Sequence, residues 1–151
     1  MGDIEVTIYT DSDGFITMKC PYCGLEFKLA AEDVNNDDSP TSELFCPYCG
    51  LANDPSRFIS QDTMNALMVK ASNYAADILN NALLGTARQV NRKKGLIRME
   101  VNPIEAQPEK DVKEKDGVET IFHCRACEHG VKVIHSAGLS KIYCPYCGVD
   151  M

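Results

Sequence analysis

Alternating apolar and polar residues predict short strands near the start of the chain. Residues 4–9 alternate, and residues 15–18 form a second strand-like run after the polar turn 11–14. We expect these two strands to form a β-hairpin. Residues 24–29 predict a further strand, because their apolar side chains again fall on one face.

The middle of the chain has helical periodicity instead. Ser60 is a suitable N-cap, and from Met64 to Ala82 apolar residues recur at spacings of four and three. A helix over 61–94 would be about 50 Å long, and the pattern leaves open whether it continues past Gly85. We call the apolar side of this helix the helix stripe; its members are Met64, Leu67, Met68, Ala71, Tyr74, Ala75, Ile78 and Ala82.

A helix of this length has more apolar surface than two miniature modules can cover, so the helix stripe needs a partner. It could pack on the protein's own small domains, or against another helix in a homo-oligomer or a different protein. We favour the second alternative because the alanines of the stripe allow close approach of two backbones.

A strand and a linker are predicted after the helix. Residues 96–101 alternate as a short strand. Residues 102–117 contain Pro103, Pro108 and eight charged residues of both signs. This composition is typical of a solvated, mobile linker.

The last third of the chain repeats the first. Strands are predicted at 120–123, 131–135 and 141–143, each next to a cysteine pair or between two pairs. The residues before the cysteines also match, since Leu44-Phe45 precedes Cys46 as Ile142-Tyr143 precedes Cys144.

Eight cysteines occur, and all lie in CxxC pairs. Neighbouring pairs give the patterns CxxC-x22-CxxC and CxxC-x16-CxxC, which lie in or near the range of four-thiolate zinc sites. Three pairs share the string CPYCG, whereas the fourth has Glu128 in place of the glycine. The predicted ligands are Cys20, Cys23, Cys46 and Cys49 for one ion and Cys124, Cys127, Cys144 and Cys147 for the other.

The chemistry of a CxxC turn favours structural zinc over the alternatives. Such a turn points two sulfurs at one place, proline between the cysteines fixes φ, and glycine after them permits positive φ. Disulfides suit secreted chains, and no export signal is visible here. Redox CxxC pairs sit in a βαβ context that this pattern lacks. The pattern does not decide whether each half of the chain pairs its own knuckles.

The CPYCG strings and their strand-rich flanks resemble the zinc-ribbon superfamily, over about residues 15–58 and 119–151. The resemblance implies small β folds, each holding one Zn²⁺, and no single activity. We therefore predict an α+β protein made of two small β-rich zinc ribbons joined by a long central helix and a charged linker. The expected domains are a hairpin plus ribbon at 1–58, the helix at 59–95, a strand and linker at 96–118, and a ribbon at 119–151.

Net charge argues against general binding of nucleic acid. The chain carries −7, and eight thiolates with two Zn²⁺ would change this to about −11. A local basic segment is the exception, and with Tyr22, Tyr48 and Tyr146 as stacking faces it offers a possible nucleic-acid contact. The alternative, which we favour, is solvated cations at a helix C-terminus. The basic residues are Arg88, Arg92, Lys93, Lys94 and Arg98.

Catalysis is not expected, because two complete four-cysteine sets leave no open metal position. His123, His129 and His135 are expected to be surface or strand residues. We predict a non-catalytic adaptor or structural subunit that mediates protein–protein assembly through its central helix and ribbons, with a nucleic-acid-binding accessory as the alternative. Without a signal peptide or an apolar run of about 20 residues, we expect a cytoplasmic protein with no membrane contact.

Overall fold

The computed structural model describes residues 4–35, 42–93, 95–134 and 140–151. This part of the chain is mixed helix and strand, with one long helix and three small sheets. A single turn of 3₁₀ helix at Pro55–Arg57 precedes the long helix. The other elements are β1 (Ile8–Tyr9), β2 (Phe15–Lys19), β3 (Glu26–Ala30), α1 (Ala31–Val34), β4 (Leu44–Phe45), β5 (Ala52–Asn53), α2 (Gln61–Arg92), β6 (Val112–Lys113), β7 (Glu119–His123) and β8 (Gly130–Ile134).

The described residues divide into two compact units. The helix unit contains residues 4–6 and Asn65–Lys110, and the sheet unit contains Thr7–Met64 together with the described part of Asp111–Met151. The first and last thirds of the chain therefore fold together in one unit.

The sheet unit is built on a four-stranded antiparallel sheet in the order β2-β3-β8-β7. Strands β2 and β3 form one hairpin, β7 and β8 form the other, and β3 pairs with β8 to join them. The apolar side chains of Phe27, Leu29, Val131 and Val133 are fully buried there, and Phe58 packs edge-on against the ring of Phe27. This burial of apolar area contributes to the stability of the sheet unit.

The two hairpins are related by an approximate internal two-fold axis. Strand residues correspond at an offset of 104, as in Lys28 and Lys132 or Cys20 and Cys124. Lys28 and Lys132 are also direct cross-strand partners in the β3–β8 pairing, so the axis passes between them. The sequence repeat is thus expressed as an intramolecular pairing of two similar halves.

A buried carboxylate separates the two lysines. The Asp11 side chain is fully buried, and its Oδ2 lies 2.8 Å from Lys132 Nζ and 3.3 Å from Lys28 Nζ. Burial by itself would raise the pKa of Asp11. The hydrogen bonds donated by Lys132, by the Phe15 backbone N–H and by Lys28 outweigh it and lower that pKa to about 2.

The predicted N-terminal hairpin is wrong. The strand expected over 4–9 is reduced to β1, which pairs in parallel with β6 and not with β2. The reason lies in the turn between them. The Asp11 carboxylate accepts hydrogen bonds from the N–H groups of Asp13 and Phe15, and it meets the two lysines on the sheet. The chain thereby leaves the register that a β1–β2 hairpin requires.

Helix α2 is continuous over its 32 residues and includes Gly85. At about 1.5 Å per residue it spans about 48 Å. The predicted N-cap is confirmed, because Ser60 Oγ accepts a hydrogen bond from the Thr63 N–H at 3.3 Å. Only Ala76 and Ala87 are buried among its residues.

Among the described residues, no helix combines the length and the apolar character that a membrane span requires.

An extended segment runs back along one face of α2, and we call it the strap (residues 98–110). Each of three asparagines on the helix accepts a hydrogen bond from one strap N–H and donates one to the C=O of the same residue, at 2.8–2.9 Å. We call these contacts the asparagine ladder; they pair Asn91 with Met99, Asn80 with Ile104 and Asn73 with Gln107.

The geometry of the ladder explains why it fits. Asn73, Asn80 and Asn91 are spaced by seven and eleven residues, which places them on one helix face. Eighteen helical residues rise about 27 Å, and eight extended residues cover about 26 Å. Two further contacts fix the start of the helix unit, because Lys70 lies 3.9 Å from Glu109 and donates to the Glu5 carbonyl.

The strap corrects two predictions. Residues 96–101 do not form a strand among the described residues, and 102–117 are not a free linker. Extended backbone needs partners for its N–H and C=O groups, and here helix side chains supply several of them. The following residues Val112–Lys113 then join the sheet unit as β6.

Candidate metal centres

The four CxxC knuckles have the same backbone conformation. In each, the N–H of the residue four positions after the first cysteine donates to that cysteine's C=O, at 2.8–3.0 Å. The first cysteine's own N–H donates to the C=O five residues further on, also at 2.8–3.0 Å. The repetition shows that the CxxC spacing, and not the Pro-Tyr between the cysteines, sets the turn, since Cys124-Arg125-Ala126-Cys127 forms it too.

Closure of each turn requires a residue with positive φ. Gly24, Gly50 and Gly148 have φ of 72°, and Glu128 takes the same place with φ of 63°. Glycine adopts this region freely, whereas a side chain with a Cβ is strained there. The Glu128 departure noted in the sequence therefore has a conformational cost but leaves the turn intact.

The structure gathers the eight sulfurs into the two predicted sets. Cys20, Cys23, Cys46 and Cys49 form one set, and Cys124, Cys127, Cys144 and Cys147 form the other; within each set all sulfurs lie within 4.8 Å of one another. Each half of the chain pairs its own knuckles, which the sequence had left open. None of the eight cysteines forms a disulfide.

Sulfur separations fit a tetrahedral metal site. In the first set, Sγ atoms of Cys20 and Cys49 are 3.8 Å apart, and those of Cys23 and Cys46 are 3.7 Å apart. In the second set, Sγ atoms of Cys124 and Cys147 are 3.6 Å apart, and those of Cys127 and Cys144 are 3.4 Å apart. A Zn–S bond of about 2.3 Å in a tetrahedron requires sulfurs about 3.8 Å apart, whereas a disulfide needs about 2.05 Å. Each set could hold one metal ion.

Burial of the sulfurs also calls for a cation. The first cysteine of every knuckle is buried. Burial raises the pKa of the Cys46 and Cys144 thiols, so neither forms a thiolate easily without a compensating positive charge. A bound dication supplies that charge and is the natural complement of this donor set.

Backbone N–H groups favour the thiolate form of Cys20 and Cys124, the first cysteine of the other knuckle in each set. Burial opposes ionisation of Cys20 and Cys124 as well, but N–H groups that point at their sulfurs outweigh it. The N–H of Tyr22 donates to Cys20 Sγ and that of Ala126 to Cys124 Sγ, each at 3.4 Å. The pKa of Cys20 is lowered, and that of Cys124 falls to about 7.

Reciprocal backbone hydrogen bonds connect the two cysteine sets. The Phe45 N–H donates to the Pro145 C=O at 2.8 Å, and the Tyr143 N–H donates to the Pro47 C=O at 2.9 Å. Pro47 and Pro145 are the residues between the cysteines of the second and fourth knuckles. Each set is therefore braced by the backbone that leads into the other. Sequence analysis missed this contact, although the matching residues before Cys46 and Cys144 were its signal.

Two glycines make this contact possible. A Cβ added at Gly50 would lie 3.1 Å from the Tyr143 ring, and one added at Gly148 would lie 3.0 Å from the Phe45 ring. The aromatic residue before one knuckle thus packs on the glycine after another.

The ribbon tyrosines are only partly available as stacking faces. Tyr22 is exposed, and Tyr48 and Tyr146 are half-buried. The Tyr48 hydroxyl donates to the Glu26 C=O at 2.8 Å. The Tyr146 ring stacks on His129 at 4.2 Å between centroids.

The other candidate residues are placed as follows. Arg88, Arg92, Lys93 and Arg98 are exposed in the helix unit, and Lys94 lies outside the described residues. His123 is an exposed strand residue, and His135 also lies outside the described part. In that part no group of His, Cys, Asp or Glu side chains besides the two cysteine sets is arranged to hold a metal.

The helix stripe is exposed almost throughout. Met68 retains 62% of its surface and Ile78 retains 52%. Of the eight predicted stripe residues, only Leu67 is half-buried; the exposed ones are Met64, Met68, Ala71, Tyr74, Ala75, Ile78 and Ala82.

Comparison of the chain with protein-family models, with curated proteins and with solved structures gives no match. The cysteine sets are therefore the basis for describing the sheet unit as a metal-binding, zinc-ribbon-like module.

Proposed function

We propose that this protein is a non-catalytic assembly subunit, in which two structural Zn²⁺ ions hold a pair of zinc ribbons and the central helix binds a protein partner. The ribbons supply a stable base, and α2 supplies the binding face. The observation that carries the proposal is the exposed helix stripe on a helix whose opposite face is already covered by the strap.

The ligand count supports a structural role for the metal. Each set offers four thiols at distances that suit four-fold coordination. Catalytic zinc keeps one position for water or substrate, and a complete thiolate set leaves none. Zinc prefers this soft donor set, whereas Mg²⁺ and Ca²⁺ prefer oxygen.

Exposure of the stripe supports the assembly role. Large apolar side chains that recur along one face of a long helix are typical of binding surfaces. The opposite face of α2 differs from the stripe, because the strap runs along it and Ala76 and Ala87 are buried there.

Two substitutions on the stripe test this proposal. Met68→Lys and Ile78→Glu each place a charge on an exposed position, so the fold should be unaffected while partner binding weakens. Leu83→Lys is the matched control, because Leu83 is also exposed but points about 100° away from the stripe centre. Affinity capture from the host, quantified for wild type and each variant, should lose its specific partner only with the stripe variants. Equal recovery by all would contradict the proposal.

A nucleic-acid role is the second candidate, favoured by the exposure of Arg88, Arg92, Lys93 and Arg98. It predicts salt-dependent binding of DNA or RNA that is lost in Arg92→Glu/Lys93→Glu. The acidic net charge of −7 weighs against it, and the absence of measurable binding at low salt would end it.

A further inference from the structure

We infer that the partner of the helix stripe is a second copy of this chain, packed as an antiparallel helix pair centred near Asn73. This inference rests on the proposed function and names its partner. It is carried by the charge and size pattern of the stripe, which is compatible with itself when the second copy runs antiparallel.

Charge is absent from the stripe. Residues 64–86 include only two charged side chains, Lys70 and Asp77. Both lie within about 60° of Asn73 around the helix, on the side of the strap. In a chain with a net charge of −7, an uncharged face of this length is one on which two identical molecules can meet without repulsion.

Side-chain size is complementary when the second copy runs antiparallel. Pairing about Asn73 brings Met68 opposite Ile78 and Met64 opposite Ala82 on the other copy. At the centre Ala71 meets Ala75, so the two backbones can approach closely. These six residues are the positions at spacings of four and three that define the seam of a coiled coil.

The basic segment sets the orientation. Five cations lie between Arg88 and Arg98 near the C-terminal end of α2. A parallel pair would place these two groups side by side, and their mutual repulsion would oppose assembly. An antiparallel pair places them at opposite ends, beyond the uncharged seam. The same arrangement leaves the asparagine ladder facing away from the partner, because Asn73, Asn80 and Asn91 lie on the opposite helix face.

Native mass tests the second copy as partner. Light scattering on the metal-loaded full chain should give 33.4 kDa, twice the chain mass of 16.7 kDa. Met68→Lys and Ile78→Glu should each raise the dimer dissociation constant at least about tenfold, because a charge is buried against an apolar residue. Leu83→Lys should leave the constant unchanged.

Orientation is tested by the double variant Met68→Lys/Ile78→Glu. In an antiparallel pair each lysine faces a glutamate of the other copy, so the double variant should dimerise more tightly than either single variant. In a parallel pair lysine meets lysine and glutamate meets glutamate, and no recovery follows. A dimer without recovery overturns the antiparallel assignment.

A monomeric wild-type protein at all accessible concentrations overturns the inference as a whole. The proposed function would survive that result if stripe variants still lost a different protein that wild type captures. It would fail only if the stripe variants captured every partner as wild type does.

Discussion

At the scale of single residues, the backbone conformation that each turn requires explains most of the geometry of the four knuckles. Each turn needs positive φ at one position, and in the three CPYCG strings that position is occupied by glycine. Glu128 occupies the same position without the conformational freedom of glycine. The sequence therefore identified both the two cysteine sets that could hold a metal and the one imperfect turn. Only the structure shows that this residue keeps the left-handed conformation.

Glu128→Gly should stabilise the metal-loaded protein by about 1 kcal/mol, because glycine relieves the strain of positive φ. Chemical unfolding of the zinc-loaded chain measures the change. Gly24→Ala is the matched reverse, since its φ is 72° and no atom lies within 4 Å of the added Cβ. It should destabilise by a similar amount. A stability loss in Glu128→Gly would show that the glutamate side chain has a role beyond the turn.

Asp11 is the residue that sequence analysis undervalued. It was assigned to a polar turn, yet the side chain is fully buried between Lys28 and Lys132. Nothing in a local pattern could indicate this, because the two lysines lie 17 and 121 positions away. Its position depends on the long-range pairing of β3 with β8.

Asp11→Asn should cost up to about 3–5 kcal/mol, because it removes the fully buried carboxylate that the two lysines share. Among the described acidic residues, Lys132 then keeps only Asp13, at 2.7 Å, and Lys28 keeps only Glu119, at 3.6 Å. Asp13→Asn is the control and should cost under about 1 kcal/mol, since Asp13 is exposed and contacts only Lys132 among these lysines. Urea unfolding at neutral pH compares them. An equal loss of unfolding free energy in the two variants would show that burial of the Asp11 carboxylate does not account for its stabilising effect.

The pH dependence of that loss follows from the depressed pKa of Asp11. Its folded pKa is about 2 and its ordinary value is 3.8, so its contribution is complete above about pH 4 and is lost only as pH falls from there towards 2. The stability difference between wild type and Asp11→Asn should therefore stay constant from pH 8 to pH 5. A difference that shrinks across this range would contradict the assignment.

At the scale of elements, the helix was predicted and the strap was not. Local sequence predicted α2, its N-cap and its apolar stripe, because these depend on residues close in sequence. The strand predicted over 96–101 was wrong, because the N–H and C=O of Met99 bond to the Asn91 side chain and no described strand includes these residues. The spacing of Asn73, Asn80 and Asn91 was a visible signal on the face opposite the stripe.

Asn80→Ala should open the middle of the strap. It removes two hydrogen bonds to Ile104, each worth about 1 kcal/mol net, while α2 remains folded because alanine is a good helix former. Hydrogen exchange of the Ile104 amide should accelerate by at least about tenfold. Asn81→Ala is the matched control on the neighbouring position and should leave that amide unchanged. Equal exchange in the two variants would show that the ladder does not hold the strap.

At the scale of the whole molecule, the two metal sets belong to one unit. The sequence suggested two independent ribbons at the ends of the chain, and it did reveal the repeat. It could not show that the halves pair through β3 and β8, with reciprocal backbone bonds at Phe45 and Tyr143. Such contacts depend on three-dimensional pairing, which local patterns do not encode.

Loss of one metal should therefore weaken binding at the other. Cys46→Ser removes a buried ligand from the first set, and the Phe45–Pro145 contact should loosen with it. Competition with a chromogenic chelator should then extract zinc from the intact second set faster than from the same set of wild type. Unchanged resistance of the second set would show that the halves fold independently.

Metal content tests the central claim most directly, since the account depends on thiolate-bound zinc at both cysteine sets. Native mass spectrometry of the freshly purified chain should show two zinc ions per 16.7 kDa chain and no disulfide. Removal of the metal should abolish the far-UV signal of the sheet unit. A metal-free chain with the same fold, or one with cysteines cross-linked in pairs, would contradict the account.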